Sequence, residues 1–441
     1  MSTRSIATYL FACSLVYAPF AHGCATHQAW FVLDFLLALA FLVYAVGCVQ
    51  ERSWSVSVVP VLAILFLVIL GVAQALNPAS IHDPVSLRVT HLQSYHPYLP
   101  GTLDQRCSVL ALIHWGALAL GFIALLDLMR SRDARWALQG TIAVTGVAMA
   151  IFGIYLKIQG GNLVPFTQTR TNTFFGTYVY HAHAAAFLSF CWPAALGLAI
   201  RSLHGIRPIG RALWINVFLL IFIALFINIS KFGHLAALPG LGLGLLLLRK
   251  GIPAGGLRVA PLVLGVIALV LLGSVAAIVL PLVSSSLGRW DTVVKAGFGG
   301  RPVIYGVVLS MIRFYAPWGS GVGTFHLGFP YFTGHLGGSV VGRVSHAHED
   351  YLQTMVEWGV LGSAAWFILV VGGFIKGWRE HFRHPGELST GIALVSLTIV
   401  GIHSTVDFPM QIGSLRYYAA VYLAMLWRVR TNSKDAPKKV T

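Results

Sequence analysis

Apolar runs of about 20 residues recur along most of the chain, and nothing else in it restricts folding so severely. A run of that length crosses the hydrocarbon core of a bilayer as a helix. Inside lipid no water satisfies the backbone, so only helices or a closed barrel persist there. Barrel strands alternate apolar and polar residues over about 10 positions, and no segment here does so. Composition agrees: of 441 residues, 57% are hydrophobic and 10% charged, against about 25% charged in a soluble domain. The predicted class is all-α, a polytopic membrane helix bundle forming a single integral membrane domain over 1–441. Twelve spans are expected, near 5–24, 28–48, 54–76, 107–127, 136–157, 181–200, 213–229, 233–248, 259–281, 352–375, 389–407 and 412–428. The first has the look of a cleaved signal, and "AHGC" is faintly like a lipoprotein site. His22 spoils that pattern and a second span follows at once, so an uncleaved helix is expected.

The formal charge of +16 would direct a soluble protein toward nucleic acid. Here the positive-inside rule accounts for it, and no nucleic-acid partner is expected. Nineteen of the 30 basic residues alternate onto one side, in the stretches around Arg4, Arg52, Arg130–Arg135, Arg201–Arg211, Arg249–Arg258, Lys376–Arg383 and the tail from Arg428. That side is predicted to be the cytoplasm, with both termini there. The opposite, periplasmic side then holds segments 77–106, 158–180 and 282–351, the last a large loop. Long loops are more often functional than idle. Within it Val303, Val307, Leu309, Ile312 and Tyr315 predict an amphipathic helix, and Gly319, Gly321 and Gly323 a tight irregular turn. The cysteines, Cys13, Cys24, Cys48, Cys107 and Cys191, are odd in number and lie in or beside apolar spans, so packing is expected of them rather than disulfides or zinc.

The topology rule leaves basic residues on the outer side: Arg88, Arg106, Lys157, Arg170, Lys231, Arg289, Lys295, Arg301, Arg313, Arg343 and Arg416. Snorkelling to headgroups explains most of them individually. Three stand out. Lys231, in "NISKFGHLAA", joins two apolar spans with almost no loop, so its charge stays at membrane depth, where charges are costly and commonly functional. Arg301 opens the amphipathic segment, and Arg170 lies in a polar-aromatic run leading into a span. Together they make a candidate phosphate site. His348, Glu349, Asp350 and Tyr351 stand at the start of the tenth span, with Ser345 as the expected N-cap. An imidazole there is suited to general-base work; the plain alternative is a polar residue at headgroup level. Asp350 and Glu357 fall off the His348 stripe and are expected to pair with basic residues elsewhere. His403 and Asp407, four apart, share a face as a satisfied polar pair or a His-orienting one. His181 with His183, and His346 with His348, are spaced by two, which on a helix points them about 200° apart, so no metal is expected. No P-loop or dinucleotide motif occurs, so no nucleotide cofactor is expected either.

The stretch from Arg301 through "APWGSGVGTFHLGFP" to "SHAHEDYLQTMVEWGVLG" resembles the O-antigen ligase / O-antigen polymerase superfamily, with its Arg, its Pro…Gly-x-Gly…Phe stretch and its His-Asn-x-Tyr-Leu motif before a span carrying Glu357, Gly359 and Gly362. "RTNTFFGTYVYHAHAAAFL", "NISKFGHLAALPG" and "HSTVDFPM" are similar to further family segments, so the likeness runs over roughly 160–425. Two positions depart from the pattern: Glu349 replaces Asn, and Lys231 replaces Arg, keeping the charge but losing the bidentate fork.

The resemblance implies a GT-C-like glycosyltransferase of a Gram-negative inner membrane. Its donor would be a glycan on undecaprenyl pyrophosphate and its acceptor lipid A-core, without metal or nucleotide. It implies His348 as catalytic base and Arg301, aided by Arg170 or Lys231, on the pyrophosphate. Glu349, Asp350, Tyr351, Arg343 and Asp407 would support them. Within the superfamily an O-antigen polymerase or a protein O-oligosaccharyltransferase is the alternative. A glycolipid flippase is the alternative of another class, and it is disfavoured because no internal repeat is visible and the ionisable residues gather near one face.

Overall fold

A computed structural model describes residues 2–83, 85–86, 88–204, 208–252, 301–334, 336 and 344–428. Helices occupy the expected spans in order: α1 (Thr3–Phe20), α2 (His27–Glu51), α3 (Val58–Leu76), α4 (Gln105–Leu128), α5 (Arg132–Ile158), α6 (His181–Ser202), α7 (Pro208–Ile227) and α8 (Lys231–Leu248). Then come α9 (Arg301–Tyr315), α10 (Asp350–Arg383), α11 (Leu388–His403) and α12 (Gly413–Trp427). The expected ninth span, 259–281, and Arg343 lie outside the described residues. Among the described residues, eight helices are long and apolar enough to cross a membrane. The chain is a multi-pass membrane protein of the all-α class. A small antiparallel hairpin, β1 (Ser80–His82) with β2 (Val89–His91), decorates the 77–106 connection.

Local chemistry sets the helix starts. Thr26, Asp104, Ser131 and Ser230 each accept a bond from a backbone N–H three residues on, which satisfies donors that the first turn leaves free. The alanine-rich α6 is enclosed along its apolar length by α5, α7, α8, α11 and α12. Three tyrosines of α12 fasten it to its neighbours. Tyr417 and Tyr418 donate to Phe11 O and Leu15 O of α1 (2.9 and 2.8 Å), and Tyr422 donates to Phe190 O of α6 (2.7 Å). Of the cysteines, Cys24 and Cys191 pack in the core while Cys13 is exposed, so packing is not the common role expected of all five.

One end of the bundle concentrates ion pairs. Asp127 meets Arg4 (3.2 Å) and Arg130 (3.1 Å); Glu387 meets Arg135 (2.9 Å) and Arg428. These arginines belong to the set that alternation assigns to one side.

At the other end α10 is broken. Gly359 adopts φ +66°, ψ −171°, and the ladder stops there. The carbonyls and N–H group released by the break are taken up by the glycine-rich turn that precedes it in sequence. Ser320 N–H donates to Val356 O (2.7 Å), Gly321 N–H to Glu357 O (3.2 Å), and Val360 N–H to Pro317 O (2.9 Å). Gln74 of α3 adds bonds to Trp318 O (2.7 Å) and Glu357 O (3.0 Å). Gly319, Gly321 and Gly323 all have positive φ, as the irregular-turn expectation requires.

The amphipathic expectation for α9 needs correction. Its buried stripe is Val307, Val308 and Met311, flanked by Ile304, Ile312 and Tyr315, whereas Val303 and Leu309 face out. A 100° step from residue 304 reaches 307, 308, 311 and 315, and leaves 303 and 309 off the face.

A Cβ on Gly319 would lie 2.4 Å from Glu357 O and 2.5 Å from Gly359 N, at φ +87°. Gly319→Ala is therefore expected to lower stability by about 2 kcal/mol or more, read as a lower thermal midpoint in detergent. Gly306→Ala, with nothing within 4 Å, should leave the midpoint unchanged.

Candidate active site

Arg301 and Tyr305 lie one turn apart at the start of α9, hence on one face. The Tyr305 hydroxyl donates to the backbone carbonyl of His348 at 3.1 Å. Arg301 and His348 are thereby brought to the same place, and the Arg301 charge acts on His348, Asp407 and Tyr305 alike.

His348 does not begin the helix as expected. It sits in the left-handed region at φ +55°, two residues before α10. The N-cap is Glu349, not Ser345: the Glu349 carboxylate accepts from Leu352 N–H, and its neighbour's backbone has already turned away from the helix axis. No helical stripe therefore runs through His348. Its Nδ1 is buried with no hydrogen-bond partner among the described residues. Burial, then the Arg301 charge, holds this imidazole below the ordinary pKa of 6.5, so it is neutral near pH 7. Burial likewise raises Glu349, against the pull of the Leu352 and Tyr351 N–H groups.

Asp350 and Glu357 do not form the ion pairs expected of them. Asp350 is buried and accepts from Met410 N–H (2.9 Å) and Gln411 (3.2 Å), while its own N–H donates to Ser404 O (3.0 Å), pinning α10 to the α11–α12 connection. Glu357 accepts from Gln353 (3.2 Å) and from Phe325 N–H (3.3 Å). Backbone and amide donors lie nearer these carboxylates than any side-chain cation among the described residues. Arg416, counted with the outer-side cations, makes no contact ion pair with either carboxylate but acts on both through its charge; it donates to Met410 O (2.8 Å) and lies over the Trp115 ring at 4.0 Å. Tyr351 is exposed, and its hydroxyl donates to Gly401 O at 2.8 Å.

Asp407 is buried beyond the end of α11. It accepts from Phe408 N–H (2.9 Å) and lies 3.9 Å from His403 Nε2. Burial lifts its pKa to about 6, opposed by the Phe408 N–H and by Arg301. Phe232 stacks on His403 at 4.2 Å; Lys231, which precedes it at the start of α8, is half-buried. Arg170 is exposed, on a small hairpin opposite Leu163.

Phe408, which no sequence pattern singled out, is the hub of the histidines. His346 stacks on it at 4.4 Å, and His183 and His348 meet it edge-on at 4.9 and 5.0 Å. Three of the four histidines set aside as metal ligands, His183, His346 and His348, thus surround one aromatic ring. Among the described residues, no group of three or more His, Cys, Asp or Glu could hold a metal ion. A buried or half-buried phenylalanine in an apolar chain carries no signal that separates hub from packing, and neither does Tyr305.

This geometry pairs a neutral imidazole with a guanidinium at one end of a membrane bundle, joined through a short helix and a glycine-rich turn. Residues 216–367 match the O-antigen ligase family. The match runs from α7 into α10 and includes Lys231, Arg301, Tyr305, His348, Gln353 and Glu357, though neither Arg170 nor Asp407. It bears out the superfamily resemblance carried by the Arg301 and His348 motifs. No curated protein matches the chain. The family supports an enzyme of the O-antigen ligase, glycosyltransferase-like type, using in general a lipid-linked glycan donor and a lipid acceptor.

Because Arg301 helps to depress the His348 pKa, Arg301→Gln should raise it. Neutral imidazole is the form that diethyl pyrocarbonate modifies. The pH curve for labelling of the His348 peptide, followed by mass spectrometry, is therefore expected to move to higher pH in the variant.

Proposed function

We propose that the protein is an O-antigen ligase of a Gram-negative inner membrane, with both termini cytoplasmic and its site at the periplasmic face. It transfers a glycan from undecaprenyl pyrophosphate to a sugar hydroxyl of lipid A-core. The observation that carries this reading is the juxtaposition of Arg301 with a neutral His348, joined through Tyr305, inside a segment matching the ligase family.

The reaction is a single displacement that needs neither metal nor nucleotide. The acceptor oxygen attacks the anomeric carbon while the bond from that carbon to the pyrophosphate oxygen breaks. His348 removes the hydroxyl proton through Nε2, the ring nitrogen opposite the enclosed Nδ1. A base of this kind contributes about 10²–10⁴-fold. Arg301 neutralises the charge that builds on the departing pyrophosphate. Half-buried Lys231 is preferred to the exposed Arg170 as the second cation. Arg343, in the same segment as Arg301, supports the phosphate contact. Asp407 balances Arg301, Glu349 and Asp350 shape the turn that carries the base, and Tyr351 ties α10 to α11. The segment 282–351, read as a large periplasmic loop, carries the Arg301 and His348 motifs.

In a cell lacking its own ligase, the wild-type chain should restore surface O-antigen. His348→Ala and Arg301→Ala should accumulate in the membrane yet leave the core bare, and Arg301→Lys should retain part of the activity because charge survives without the fork. Normal transfer by His348→Ala would refute the base. A chain whose loss leaves single capped units on the core, in place of bare core, would be a polymerase.

A further inference from the structure

The base proposed above stands on a turn that the backbone alone would not hold. His348 has φ +55°, a region that non-glycine residues occupy at a cost and keep only when surrounding contacts over-determine it. Two side chains grip this turn from different helices. From α9, the Tyr305 hydroxyl donates to His348 O at 3.1 Å. From α10, Gln353 Oε1 accepts from Ala347 N–H at 3.1 Å. The Gln353 amide is itself oriented, because its Nε2 donates to Glu357 Oε1 at 3.2 Å and so leaves Oε1 for the turn. Glu357 in turn accepts from Phe325 N–H at 3.3 Å, at the end of the glycine-rich turn. The Ala347 N–H and the His348 carbonyl are therefore each fixed by a side chain.

We propose that Tyr305 and Gln353 are positioning residues, which hold the left-handed backbone at His348 and so present its imidazole beside Arg301. The proposal rests on His348 being the base. Because Arg301 and Tyr305 share a helix face, the same short helix sets both the cation and the backbone of the imidazole. A displacement of about 1 Å in such a pair is enough to cost on the order of 100-fold in rate, while substrate binding, which uses other groups, is left intact.

The test uses full-length protein in detergent or nanodiscs, with undecaprenyl-pyrophosphate-linked O-units as donor and lipid A-core as acceptor. Tyr305→Phe keeps the ring and removes only the hydroxyl. It is expected to lower kcat by roughly 10- to 100-fold with KM within about twofold of wild type. Amide exchange in the 346–349 peptide should rise while the global thermal midpoint holds. Gln353→Leu should show the same kcat-selective loss. An unaltered kcat in Tyr305→Phe, or a loss confined to KM, overturns the proposal whatever the exchange data show. His348→Ala in the same assay separates the two ideas: normal turnover there removes the base itself, whereas a dead His348→Ala beside a fully active Tyr305→Phe removes only the positioning role.

Discussion

The docking of the 317–323 turn into the break in α10 is the interaction on which the rest of this end of the molecule depends. A helix interrupted at Gly359 exposes backbone groups close to lipid, where each unsatisfied group costs several kcal/mol. Here the Val356 and Glu357 carbonyls and the Val360 N–H are met by Ser320, Gly321 and Pro317 of the turn, with Gln74 of α3 adding a side-chain amide. The same bonds fix where the first two turns of α10 lie. Those turns carry Glu349 at the cap, Gln353 under the His346–His348 segment and Glu357 against Phe325. The α9 helix, which leads directly into the turn, brings Arg301 and Tyr305 with it.

Charge is handled in opposite ways at the two ends. At the end bearing Asp127 and Glu387, each carboxylate meets two arginines, and the pairs tie helices together. At the site end the carboxylates of Asp350 and Glu357 are instead satisfied by backbone and amide donors. This leaves the Arg301 charge to act on His348 and Asp407. An anion arriving there meets the Arg301 cation, whose charge is felt also by Asp407, and a cation so placed stabilises charge on a leaving group.

The spans were legible because a bilayer imposes a length and an apolarity that periodicity reveals directly. The glycine-rich turn was legible because Gly319, Gly321 and Gly323 have few uses besides positive φ. Helix ends were less so: Ser345 is the better N-cap by type, yet Glu349 takes the position because the chain reverses at His348, a non-glycine residue whose left-handed backbone nothing in its identity announces. Asp350 and Glu357 feel the charge of Arg416 but do not touch it, for a similar reason. Charge suggests an opposite charge, but in a packed interior the nearest donors decide, and these were Met410 N–H, Gln411, Gln353 and Phe325 N–H.

By itself the sequence determined the class of the molecule, the order of its helices and the residue types for the chemistry, since those follow from hydropathy, charge alternation and motif spacing. Which of the cations share a site was decided only in three dimensions. Arg170 and Arg301 look alike along the chain, but one rests exposed on a hairpin and the other lies within electrostatic reach of His348. Distances between residues far apart in sequence are set by how helices pack and where one of them breaks, and no local pattern encodes that. Phe408 and Tyr305 gain their places at the site from the same packing.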